Sequence, residues 1–124
     1  MIAVDTSSLI AFLEGEEGND VESLDRALRL GQVVLPPVVL TEILSAPGLD
    51  RRVARLLRDL PTLETRPGFW ERAARTRSKI LSRRLRARLA DTLISQSCLD
   101  HQAALITRDS DFRHFVQHAG LELA

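Results

Sequence analysis

Three stretches of this chain are apolar without a break: "MIAV" at residues 1–4, "QVVLP" from residue 32 and "AALIT" from residue 103. A strand with one wet face alternates apolar and polar side chains, whereas an unbroken apolar strand is buried on both faces. Between these runs lie segments with helical spacing. Strands buried on both sides and alternating with helices predict an α/β fold, a central, mostly parallel sheet flanked by helices on both faces.

The helical segments follow from periodicity and punctuation. Leu9, Ile10, Phe12 and Leu13 follow an entry at "DTSS", and Asp20 stands where a cap would start a helix carrying Val21, Leu24 and Leu28. "VVLTEILSAPG" reads as a short helix stopped by Pro47 and Gly48. Val53, Leu56, Leu57 and Leu60 give the clearest amphipathic stripe, ended by Pro61. "TLET" suggests a short strand, and Pro67 opens a long basic helix through Leu89 with room for a break in 78–86. Asp91 heads the next helix, "RDSDF" is a turn, and Phe112, Phe115 and Val116 end the pattern as a short helix. No repeat or linker interrupts the 124 residues, so a single domain, 1–124, is expected.

No apolar run approaches the roughly 20 residues of a membrane span, and the N-terminus lacks a basic leader, so a cytoplasmic protein is expected. The one cysteine, Cys98, permits neither a disulfide within the chain nor a cysteine metal cage, and sits in a packing position. Net charge is zero, but its distribution is uneven. Residues 14–25 hold six acids and no cation, while residues 66–88 hold eight arginines and Lys79 against Glu71 alone. Arginine's planar fork suits phosphate and carboxylate, which makes Arg77, Arg83, Arg84, Arg86 and Arg88 candidate contacts for RNA or a partner protein. His114 and His118 share a helical face but lack the further ligands of a zinc set, and Trp70 reads as packing.

In an open α/β sheet, ligands bind beyond the carboxyl ends of the strands. Asp5 follows the first strand directly, Asp109 comes two residues after "AALIT", and Asp91 heads the preceding helix. Glu42 is embedded among Leu40, Ile43 and Leu44, where a charge is least expected. Each acid alone reads as a cap or a solvated side chain. Gathered at one edge they repel, by about 4 kcal/mol for a pair 4 Å apart at an effective dielectric of 20. Such a cluster persists only if protons or a divalent cation neutralise it, and an all-oxygen donor set selects a hard ion, Mg2+ or Mn2+.

The blocks "IAVDTSSLI", "VVLTEIL" and "LADTLISQSCLDHQAALITRDSDF" resemble a PIN domain, and more narrowly a VapC-type toxin ribonuclease, from residue 1 to about residue 116. The resemblance implies a single PIN-like domain and metal-binding, catalytic acids at Asp5, Glu42, Asp91 and Asp109, with Asp111 able to share or replace the role of Asp109. Thr6 and Thr107 match positions where the family keeps a hydroxyl near the metal. It further implies RNA as substrate, one or two Mg2+ or Mn2+ ions, a homodimer, and a cognate antitoxin that covers the active site. Family members more often carry a glycine-containing loop before the third acid, where this chain is arginine-rich. Rival readings are a PIN fold that binds without catalysis, and a phosphoacceptor receiver domain. The receiver requires a lysine after its last strand, and the only lysine here is Lys79.

Overall fold

The computed structural model describes residues 1–124. Strand β1 (Ile2–Val4) leads directly into α1 (Thr6–Leu13), followed by α2 (Asn19–Arg29), β2 (Val33–Val34), α3 (Pro37–Leu44) and α4 (Arg51–Asp59). Helix α5 (Phe69–Leu81) and α6 (Leu89–His101) precede β3 (Ala104–Ile106), a single 3-10 turn (Ser110–Phe112) and α7 (Arg113–Ala119).

The three strands form one sheet in the order β2-β1-β3, parallel throughout. Ala3 faces Val34 on one side and Leu105 on the other. Consecutive strand residues point to opposite faces. Ala3 and Val4 are both wholly buried, as are Leu105 and Ile106 to within 2%, so the sheet is covered on each side. Helix α2 packs on β2 and β3, and α6 packs on β3.

The expected strand at "TLET" reduces to one parallel bridge, Leu35 to Thr62, with hydrogen bonds from Leu35 to Pro61 and from Leu63 to Leu35. Pro61 lacks an N–H and Pro36 follows Leu35, so the ladder stops after one step. A matching bridge, Leu105 to Leu123, covers the other edge of the sheet. The long basic helix ends at Leu81, inside the interval where a break was expected, and Arg84 adopts a left-handed φ of +61° in the turn beyond. Asp91 lies in the first turn of α6 rather than at its head, because Arg88 takes the N-cap position. In α4 the apolar stripe is only partly used: Leu57 is buried while Leu56 stays half exposed.

Candidate metal centre

Strand β1 lies between β2 and β3, so the chain runs to one side of it first and to the other side later. The crevice between the carboxyl ends of β1 and β3 is therefore a topological switch point, the place where such sheets bind ligands. Asp5 leaves β1 there, and Thr107 leaves β3 opposite it.

Asp5 is 2% exposed and caps α1, accepting the Ser8 N–H at 2.9 Å. The Ser7 hydroxyl donates to both its oxygens, at 3.0 and 2.9 Å, and the Thr107 hydroxyl donates to Oδ2 at 2.5 Å. Three donors meet a carboxylate with about four acceptor sites, which leaves room for one more partner. Burial raises the Asp5 pKa above its ordinary value, opposed by the Thr107, Ser8 and Ser7 hydrogen bonds, while Asp109 adds to the rise.

Thr107 also accepts the Asp109 N–H at 3.0 Å, and Asp109 accepts the Asp111 N–H at 2.9 Å as the cap of the 3-10 turn. This folding of "TRDSD" brings Asp109 and Asp111 to the first turn of α6. One carboxylate oxygen each from Asp91, Asp109 and Asp111 lie within 4.8 Å of one another. Asp91 is half-buried, and burial, followed by the charge of Asp109, pushes its pKa up to about 6 despite Arg88 nearby. Asp111 and Asp5 contribute in the same direction.

The structure thus brings Asp91, Asp109 and Asp111 into one tight group, with Asp5 behind them and close enough to act on Asp91 by charge. Glu42 stands outside that group, exposed on α3, where its Oε1 accepts the Thr6 hydroxyl at 2.7 Å. The donor set of the trio is all oxygen, which suits a hard divalent ion, and Arg86, Arg88 and Arg113 supply positive charge 3.9, 3.4 and 3.9 Å from Asp111. Cys98, fully buried, has its thiol pushed up to about 12 by burial and by Asp5, so it stays protonated and inert.

The arginine-rich stretch divides by its partners. Arg72 forks onto Asp100 at 3.0 and 2.6 Å, and Arg77 donates to the Ala87 carbonyl at 2.8 Å, fastening α5 to the loop beyond it. Arg88 and Arg86 reach Asp111 at 3.4 and 3.9 Å. Arg83 and Arg84 are exposed at the turn and make no ion pair. His114 and His118 have no third ligand group beside them. Sequence reasoning missed Ser7 and Ser8 as partners of Asp5; the hydroxyl run "TSS" was the available signal.

No curated protein matches the chain. The PIN domain family matches residues 2–116. Among solved structures, VapBC2 from Rickettsia felis, bound to a DNA fragment from its promoter, superposes with a TM-score of 0.72 at 15% identity, covering 100% of this chain and 98% of that one. VapBC-5 from Mycobacterium tuberculosis, described as a member of the VapBC family of toxin–antitoxin systems, superposes with a TM-score of 0.67 at 26% identity. That match covers 98% of this chain and 95% of the other.

Proposed function

Because the chain belongs to the PIN domain family, we propose that it is a ribonuclease that hydrolyses RNA phosphodiester bonds with a divalent cation, Mg2+ or Mn2+, and acts as the toxin of a toxin–antitoxin pair. The observation that carries the reading is the convergence of Asp91, Asp109 and Asp111, oxygens within 4.8 Å, in front of the buried Asp5. The likeness to VapBC-5 at 26% identity supports the toxin role and, with it, a cognate antitoxin; a homodimer is part of the same proposal.

In this reading Asp91 and Asp109 would hold the cation, with Asp111 as a third oxygen donor. The cation, when bound, lowers the pKa of a water and offsets charge on the phosphate. Asp5, kept in one orientation by Ser7, Ser8 and Thr107, fixes the negative field at the back of the site. Glu42, steadied by Thr6 at 2.7 Å, orients the attacking water. Water would add to phosphorus as the bond to the leaving ribose oxygen breaks; one proton of the water would pass to a carboxylate, and the leaving oxygen, which departs with the bonding pair, would take a proton from solvent. Arg83 and Arg84 would hold the RNA backbone, and Arg86 and Arg88, beside Asp111 at 3.9 and 3.4 Å, extend the same positive surface to the site. Arg77 supports the same loop from behind through the Ala87 carbonyl.

The test uses purified protein, structured RNAs, Mg2+ or Mn2+, and a chelator control. Cleavage is expected with either ion and absent with chelator. Asp5→Asn is expected to abolish it while leaving the fold intact, since asparagine caps a helix about as well as aspartate. Undiminished cleavage by this variant would sink the assignment. Retention of RNA without cleavage by the parent protein would favour a non-catalytic binding module.

A further inference from the structure

Arg108 stands between Thr107 and Asp109, yet its side chain reaches the opposite way, to the start of α2. Its guanidinium forks onto Asp20, Nε donating to Oδ2 at 2.8 Å and Nη2 to Oδ1 at 3.1 Å. Nη2 also donates to the Glu17 carbonyl at 3.1 Å, and Glu16 lies 3.6 Å from Nη1. The same Asp20 Oδ2 accepts the hydroxyl of Ser8 at 2.8 Å, and Ser8 is wholly buried. Ser8 donates its N–H to the capping carboxylate of Asp5, and Thr107 donates its hydroxyl to the same carboxylate. Asp5, Ser8, Asp20, Arg108 and Thr107 therefore close a ring that ties α1, α2 and the turn after β3 together.

Gly18 shows that this ring is built closely. A Cβ there would lie 2.5 Å from Asp20 Oδ1 and 3.0 Å from Arg108 Nη2, and its φ of +151° is one that other residues rarely adopt. The absence of a side chain at Gly18 leaves space for the Asp20–Arg108 pair.

Asp109 is repelled by Asp5 and by Asp91. An untethered 107–109 turn would relax outward and enlarge the gap between these carboxylates. We propose that Asp20 and Arg108 are positioning residues: their ion pair anchors the 107–109 turn against the N-terminus of α1 and so holds Asp109 within reach of the cation. The inference rests on the metal-centre reading above and extends it to two residues that touch neither the cation nor RNA. Outer partners that orient ligating carboxylates commonly account for 10- to 100-fold in metal affinity.

The experiment is a Mn2+ titration of the full chain by electron paramagnetic resonance, well below the unfolding temperature, with thermal unfolding recorded beside it. Asp20→Asn keeps the shape and removes the charge; Arg108→Lys keeps the charge and removes the fork. Ser8→Ala opens the ring from the side and serves should either charge variant fail to fold. Mn2+ binding is expected to weaken about tenfold or more in Asp20→Asn, and by less in Arg108→Lys. Folded variants that bind Mn2+ within twofold of the parent, with only a lowered unfolding temperature, would overturn the positioning role. A parent protein that binds no Mn2+ would overturn the metal-centre reading itself, and this inference with it.

Discussion

At the scale of single residues, Asp91 is the group most out of its element. Its folded pKa of about 6 exceeds the ordinary 3.8, so the native state holds its proton more tightly than the unfolded chain does. The stability this gives is complete below 3.8 and is lost as pH rises through about 6. Asp5 is shifted in the same direction. The two carboxyls held low, Asp20 by its Arg108 bonds and Asp100 by its Arg72 bonds, lose their contribution only as pH falls below 3.8 and so do not cancel the effect. His118, held low by desolvation and by the charge of Arg83, works in the opposite sense between pH 5 and 7, but at the surface, where solvent screens it, and offsets only part of the two buried-site carboxyls. Cation-free protein is therefore expected to melt at a lower temperature at pH 7 than at pH 5. Saturating Mn2+ reverses the trend, and its affinity falls about tenfold from pH 7 to pH 5 as Asp91 takes up its proton. Thermal melts and titrations at the two pH values check both halves. That acids would gather at this edge was legible from their places after strands. Which three pack most tightly was not, because the "TRDSD" backbone folds on its own hydroxyl and carboxylate bonds, which spacing does not encode.

Among the elements, the turns after α5 and after α6 each hold a non-glycine residue in the left-handed region, Arg84 and Gln102. Arg84 sits at φ +61° with an exposed side chain, at a position where glycine would fit without strain. Arg84→Gly is expected to stabilise the protein by about 1 kcal/mol in urea melts. The same change should weaken RNA retention in a filter-binding assay, as fits a side chain kept for contact at a local cost. Helices were readable because their apolar spacing and stops are local; α1, α4 and α7 fall where periodicity put them. The strand at "TLET" was misread because pairing belongs to the partner strand as much as to the segment, and prolines on both sides cut the ladder short. The destinations of the arginines were equally hidden, since Arg72 and Arg77 find partners on other parts of the chain.

For the molecule as a whole, the sheet is narrow and its edges are guarded by single bridges. Leu105 donates to Glu122 and accepts from Ala124, and Leu121 is buried at 3% exposure. Removing residues 121–124 is expected to lower the unfolding temperature and bring concentration-dependent association through the bared edge of β3. Light scattering beside thermal melts would detect it; a truncated chain that melts and scatters like the parent would refute it. The α/β class was legible from unbroken apolar runs, whereas the strand order was not, because nothing local tells β3 to choose the far side of β1.

The hydrogen bond from Thr107 to Asp5 joins residues 102 positions apart. Synthesis runs from the N-terminus, so Asp5 leaves the ribosome long before the strand that completes its surroundings. A growing chain that has not yet released Thr107 has no assembled centre, whatever else has folded. An activity directed at RNA would thus be silent beside the RNA being translated, until Thr107 and the carboxylates after it are free.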